Sequence, residues 1–223
     1  MDDPRSYSTK VRAYYHRRAP EYDDWWLGEG LYAPVPDKWA DERDHLLEEI
    51  AALEPKRTLD AACGTGFVTL HLPGEIIGLD QSDAMVAVAA KRVKDARFVV
   101  GDALDLPFED GSFERVFASH FYGHLEEADR LKFLAEARRV APELVIVDSA
   151  TQGGVERNEW QDRVLKDGSQ WRVYKRFFST STLLAELDGG ETMHSGRWFV
   201  AARSPRYVRS GRDEIPLARH APA

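Results

Sequence analysis

Three carboxylates spaced through the first half of the chain carry most of its chemistry. Asp60 opens the run Asp60-Ala61-Ala62-Cys63-Gly64-Thr65-Gly66, Asp80 closes Ile76-Ile77-Gly78-Leu79-Asp80, and Asp102 sits in Gly101-Asp102-Ala103. Each belongs to or follows an apolar segment of strand composition, at Thr58–Ala62, Ile76–Asp80 and Arg97–Val100. Glycines after the first of these let a ligand approach the turn backbone closely. An acid about 20 residues further on can accept from both hydroxyls of a ribose. The pair predicts a nucleotide-like cofactor.

Two histidines and two cations form a second group. His120 and His124 bracket Phe121-Tyr122-Gly123 just past a fourth strand, Phe113–Ala118. Histidine titrates near neutrality and suits a general base; the plainer alternative is a helix-capping or structural role. No third ligand is evident beside them, so no metal is expected. In Trp171-Arg172-Val173-Tyr174-Lys175-Arg176-Phe177, strand alternation puts Lys175 on one face with Trp171, Val173 and Phe177. A lysine there meets an anion or snorkels. Val155 to Leu165 reads as a helix in which Arg163, one turn from Trp160, can point inward. Two cations aimed into one pocket suit a carboxylate, phosphate or phosphonate. Arg157, Lys166 and Arg172 read as solvated charges.

The positioning elements alternate. Strands at Thr58–Ala62, Ile76–Asp80, Arg97–Val100, Phe113–Ala118 and Leu144–Asp148 are separated by a short helix at Phe67–Leu72 and longer ones at Ser82–Val93, with Ser82 as N-cap, and Glu126–Val140. The pattern predicts an α/β fold: a doubly wound, mostly parallel, seven-stranded Rossmann-like sheet with helices on both faces. Gln170–Phe177 reads as a strand or extended arm, Ser179–Leu187 as a helix, and Thr192–Ser204 as a closing hairpin turning at Ser195-Gly196. Ahead of the sheet lie a basic, aromatic helix at Val11–Arg18, an irregular stretch at Trp25–Pro36, and a helix capped by Asp37. Residues 1–204 are expected to form a single domain, with 1–54 as an N-terminal helical lid and 151–178 as a substrate-side insertion; 205–223 read as a loosely held tail.

Composition narrows the class. A chain of 223 residues suits one domain with an embellishment. A net charge of -8 argues against nucleic-acid partners, whose phosphates demand a basic footprint. The one cysteine, Cys63, suits a reducing cytoplasm and a role as small filler in the turn. The polar, acidic start is unlike a signal peptide, and no apolar run approaches membrane-spanning length, so no membrane is expected.

Taken in order, Asp60…Gly64-Thr65-Gly66, Leu79-Asp80 and Gly101-Asp102-Ala103 resemble the class I S-adenosylmethionine (SAM) methyltransferases over roughly Thr58 to Ser149. One position departs: Ala62 stands where the family usually has glycine, which narrows the cofactor's approach. The resemblance implies SAM as cofactor and S-adenosylhomocysteine (SAH) as product. The turn with Asp60, Ala62, Gly64 and Gly66 would face the methionine part, Asp80 with Gln81 the ribose, and Asp102 with Ala103 the adenine. Met85 would pack on the adenine ring or belong to the core, and Ser119 would stand at the mouth of the fourth strand. Tyr14 to Asp23 resembles a lid found in many small-molecule members. Tyr15 and Tyr22 would close over the sulfonium, a cation–aromatic pairing of about 1 kcal/mol, or merely pack. Ala118–Leu125, Arg163…Lys166-Asp167-Gly168 and the Trp171–Phe178 arm are similar to the small phosphonate O-methyltransferases of dehydrophos biosynthesis. That similarity implies that His120, His124, Arg163 and Lys175 face the acceptor. The expected function is SAM-dependent methylation of a small molecule, at an oxygen of an anionic metabolite. The alternatives are an NAD(P)-dependent oxidoreductase on a similar sheet, and a SAM-binding module without catalysis.

Overall fold

The computed structural model describes residues 4–151 and 157–207. Its strands are β1 (Lys56–Ala61), β2 (Gly74–Asp80), β3 (Arg97–Val100), β4 (Arg115–Ser119), β5 (Leu144–Ser149), β6 (Arg157–Val164), β7 (Gln170–Phe177), β8 (Glu191–Ser195) and β9 (Phe199–Arg203). The helices are α1 (Pro4–Arg18), α2 (Asp24–Leu27), α3 (Trp39–Ala51), α4 (Asp83–Arg92), α5 (Glu127–Val140) and α6 (Thr180–Glu186). Seven strands form one sheet in the order β3-β2-β1-β4-β5-β9-β8, and β6 and β7 form a separate hairpin. The first five pair in parallel, whereas β9 runs antiparallel to β5 and β8.

Residue alternation sorts the core onto two faces. Leu59, Leu79, Val116, Ala118 and Ile146 pack with Phe133, Leu134 and Ala137 of α5 and Leu183 of α6. Ile76, Phe117, Val145, Val147, Phe199 and Ala201 pack with Leu46, Leu47 and Ile50 of α3 and with Trp26 and Trp39. Both faces of β4 and β5 are covered, which is why those strands read as continuous apolar runs. Ser82 caps α4 as expected, its hydroxyl accepting from the Met85 amide at 3.3 Å.

Several local expectations are corrected. Over its described residues, the segment read as a helix at Val155–Leu165 is β6, paired antiparallel with all of β7. Its exposure alternates residue by residue, the mark of a strand with one wetter face. Arg163 therefore stands opposite Trp171, not on one helical face with Trp160. After the glycine turn the chain makes only a 3-10 turn at Thr69–His71. Asp37 does not cap α3: that helix starts at Trp39 after Lys38 in a left-handed conformation, with no side-chain cap. The irregular stretch holds α2 and a 3-10 turn at Gly30–Tyr32. Residues 208–223 of the expected tail and the start of the insertion lie outside the described residues.

At the amino-terminal edge of the sheet, Glu143 accepts from Arg115 Nε at 2.5 Å and from Lys56 Nζ at 2.6 Å, all three side chains being nearly fully buried. Removing one partner from such a cluster strands the others as buried charge, so Glu143→Ala should lose about 3–5 kcal/mol of stability. A denaturation midpoint unchanged from wild type would refute this account of the sheet's base.

Candidate functional site

Two cavities adjoin beyond the carboxyl ends of the parallel strands, where ligands bind in open sheets of this kind. The larger, of about 610 Å³, is lined by residues following β1 (Ala62, Gly64), β2 (Asp80, Gln81), β3 (Asp102, Ala103) and β4 (His120, Phe121), with Met85 of α4 and Tyr15 and Tyr22 of the N-terminal segment. The smaller, of about 320 Å³, is lined by Arg18, Trp25 and Tyr32, by Ser149, and by Gln161, Arg163, Lys175 and Phe177 of the hairpin. Tyr22, His120 and His124 line both.

The chain builds the larger cavity through its turns. Gly64 is left-handed, at φ 56°, and so is Ala62, at φ 58°, where an alanine is strained and a glycine would not be. Asp80 is 7% exposed; its Oδ2 accepts from the Gly64 amide at 3.0 Å and its Oδ1 from the Ser82 amide at 2.8 Å. These two bonds lock the acid against the turn and leave each oxygen a further lone pair for a ligand hydroxyl. Burial pushes Asp80 up to about 6. Asp102 is exposed, with Oδ1 accepting from the Leu104 amide at 2.9 Å. Met85 is both core and wall, at 1% exposure.

Three of the residues expected at the cofactor stand off this cavity. Gly66, at φ 74°, turns toward α4, where an added Cβ would come within 3.1 Å of Ala89; it permits helix–turn packing, not ligand approach. Asp60 and Ser119 flank a pocket of about 20 Å³ behind Ala62. Asp60 accepts from the Thr69 hydroxyl at 2.6 Å, and burial pushes it up to about 7. Gly66→Ala should therefore cost about 1–2 kcal/mol of stability through its left-handed backbone while leaving SAH affinity nearly unchanged. A large loss of affinity in a protein that melts like wild type would place Gly66 at the ligand instead.

At the junction, His120 is left-handed at φ 52°, the kind of strain found at functional sites. It is 7% exposed and wedged edge-on against Trp25 and Trp26, with ring centroids at 4.6 and 4.9 Å. Its Nδ1 lies 3.5 Å from Ser149 Oγ, and burial pushes it down to about 3. His124 Nδ1 lies 2.7 Å from the Tyr174 carbonyl, which can only accept, so Nδ1 carries the hydrogen and Nε2 the lone pair. Burial and the nearby Lys175 push His124 well below the usual histidine range. Both rings stay neutral at physiological pH.

Asp148, the one acid of β5, organises this corner and was not singled out by its sequence context. Fully buried, it accepts from Lys175 Nζ at 2.6 Å, the Gly123 amide at 2.7 Å and the Ser149 amide at 2.7 Å. A Cβ on Gly123 would come within 2.8 Å of it, so glycine is required there. Burial alone would raise Asp148, but the Lys175 ammonium bonded to it holds it below the usual carboxylate range. Lys175 and Arg163 both line the smaller cavity, Arg163 from a strand and not from the expected helix, with its guanidinium donating to the Gln161 amide oxygen. Arg18 joins them and was likewise not singled out.

Charge separates the two cavities. The larger is lined by Asp80, Asp102, Glu126 and Asp129 against a single Lys132, and the smaller by three cations with no carboxylate among the described residues. An acidic cavity with an aromatic wall fits the cationic sulfonium and amine of SAM and gives nothing to a dinucleotide pyrophosphate. Away from both cavities, ligand atoms of His45, Glu49 and His194 lie within 4.8 Å of one another, and His194 Nδ1 bonds Glu49 at 2.6 Å, tying the sheet edge to α3. Among the described residues no helix is long and apolar enough to cross a membrane.

Residues 59–143 match the methyltransferase domain family. The demethylmenaquinone methyltransferase of Thermotoga maritima is 39% identical over 131 residues, covering 56% of this chain and 54% of that protein. The chain thus spans about half the length of the curated relative it matches. Among solved structures, the DhpI–SAM–HEP complex superposes with a TM-score of 0.69 at 25% identity, over 87% of this chain and 95% of that one. The Burkholderia thailandensis 1,6-didemethyltoxoflavin-N1-methyltransferase, 17% identical with a TM-score of 0.60 over 92% of this chain and 91% of that one, shares the fold. With the acidic cavity at the strand ends and the glycine turn closing it, these likenesses mark residues 59–143 as a class I SAM-dependent methyltransferase domain, with SAM as the cofactor it binds.

Proposed function

We propose that the protein methylates a small anionic metabolite, a phosphonate, phosphate or carboxylate, at an oxygen. The observation that carries this reading is the charge separation: an acidic cavity for the cofactor meets a cationic one across Tyr22, His120 and His124. SAM, when bound, supplies an electrophilic methyl group on a good leaving group. The chain's own residues then have three tasks. Asp80 and the turn hold the nucleoside end, while Tyr15 and Tyr22 wall off water from the sulfonium. Arg163 and Lys175 fix the acceptor's anion, so that its reacting oxygen lies at the junction, which is worth much of the barrier in a two-substrate reaction. His124, neutral and with its Nε2 lone pair available, takes the proton where the reacting oxygen is a hydroxyl.

The similarity to DhpI in a complex named with both SAM and HEP supports a small acceptor in the equivalent place. A cavity of about 320 Å³ lined by Arg18 and Arg163, with Lys175 paired to Asp148, suits a compact anion better than an extended apolar ring system. In this reading the segment before α3 acts as a lid, held by His16–Asp83 at 2.9 Å on one side and Lys166–Asp24 at 2.5 Å on the other, while α3 itself belongs to the core. Residues 157–178 form the acceptor's far wall.

The test is a methyl-transfer screen with SAM against matched small phosphonates, phosphates, carboxylates and neutral alcohols, read by mass spectrometry. Turnover confined to anionic acceptors is expected. Turnover of the neutral alcohols alone would overturn the anionic reading.

A further inference from the structure

The smaller cavity contains a buried charge whose bonded partners are all neutral. Arg18, the last residue of α1, is only 5% exposed. Its Nη1 donates to the Tyr14 hydroxyl at 3.0 Å and its Nη2 to the Tyr32 hydroxyl at 2.9 Å, and its guanidinium carbon lies 4.8 Å from the Tyr22 ring centroid. The Nε hydrogen is buried with no acceptor. Burial pushes the Tyr14 and Tyr22 phenols up, so neither becomes a counter-ion. Lys175 differs, because Asp148 neutralises it at 2.6 Å. Arg163, across the cavity, donates to a neutral amide. Burying a guanidinium without a carboxylate is costly, and a protein tolerates it where an anion is to arrive.

We propose that Arg18 is the lid-side half of an oxyanion subsite, facing Arg163 and Lys175 on the hairpin side, so that the acceptor's anion clamps the N-terminal helix shut. The proposal rests on the anionic-acceptor reading and adds a residue and a coupling to it. Arg18 lines the cavity, each of its Nη nitrogens keeps a second hydrogen, and its geometry is fixed in advance by the two phenols. Tyr22 lies under this guanidinium and also walls the cofactor cavity, so closing one site orders the wall of the other. Anion and cofactor should then tighten each other's binding, by the same factor in both directions.

Calorimetry on the full chain, with inorganic phosphate and methylphosphonate as probes, tests this with and without saturating SAH. Wild type should bind both probes saturably and more tightly with SAH present. Arg18→Gln should weaken the probes by about tenfold or more, the loss expected for a charge-assisted pair, and abolish the mutual tightening. Its SAH affinity in the absence of anion should barely change. Arg18→Lys, keeping a point charge but not the fork, should fall between the two and serves if the glutamine variant fails to fold. A purely structural arginine predicts the reverse, a lower melting temperature with probe affinity intact, and that result overturns the role given to Arg18 while leaving the anionic reading standing. Absence of any probe binding to wild type, with or without SAH, overturns the anionic reading itself.

Discussion

His124→Ala should lower kcat by about 10²- to 10⁴-fold, the usual contribution of a positioned general base, with SAM affinity little changed. One feature singles out this histidine over His120: its tautomer is set by the Tyr174 carbonyl, which leaves Nε2 as the basic nitrogen. Like His120, it lines both cavities, where a proton must leave a reacting hydroxyl. It stands beside Lys175, whose charge together with burial keeps the ring neutral. The direction of that shift fixes the pH profile. A base works when deprotonated, and a lowered folded value means the working form persists well below pH 6.5. The rate should therefore stay flat from neutral pH upward and fall only in acid. His120→Gln should cost less in rate and more in stability, because His120 is wedged between two tryptophans. If His124→Ala kept nearly full kcat on an acceptor hydroxyl, the base assignment would be lost.

The parallel half of the sheet was legible because each of its strands announces itself. Leu59, Ile77, Leu79, Val116 and Ile146 sit in runs that helices cover on both sides, so the apolar signal is continuous and the acids at the strand ends stand out. The hairpin was not legible in the same way. In Arg157–Val164 polar residues occupy both faces, and the three-residue spacing of Trp160 and Arg163 fits a helix as well as a strand. Only pairing with β7, a contact between separate segments, decides it. Asp148 and Arg18 were missed for a related reason. Asp148 ends β5 as Asp80 ends β2, but its partners Gly123 and Lys175 come from elsewhere in the chain. Arg18 lies in a basic helix where charge is ordinarily solvated. Its one local clue was Tyr14, a turn earlier, whereas Tyr32 comes from the separate 3-10 turn at Gly30–Tyr32. Gly66 failed in the opposite direction, since glycines that admit a ligand and those that admit a helix look alike until the neighbour is known.

Asp80→Ala should weaken SAM and SAH binding by about 1.5–3 kcal/mol, the cost of losing hydrogen bonds to a charged group, or roughly tenfold to beyond a hundredfold. The carboxylate is buried at the end of β2, and the amides of Gly64 and Ser82 hold it in one orientation. A ribose diol meeting it therefore finds an acceptor that needs no reordering. Asp80→Asn keeps the shape but not the charge, and its amide nitrogen must face one of those two backbone donors, so it should weaken binding nearly as much. The pH dependence follows from the raised folded values of Asp80, about 6, and Asp60, about 7. A carboxyl whose folded value lies above its unfolded one favours the fold while protonated. That contribution is complete below about pH 4 and is lost as pH rises through 6 to 7. The ligand-free protein should accordingly melt lower at pH 8 than at pH 5, and Asp60→Asn should flatten that slope. Cofactor affinity runs the other way: ribose hydroxyls donate best to an ionised Asp80, so SAH should bind more weakly below pH 6 than above it. Unchanged SAH affinity in a folded Asp80→Ala variant, measured by calorimetry at pH 7.5, would remove Asp80 from the cofactor site and with it the orientation of SAM assumed for the whole cavity.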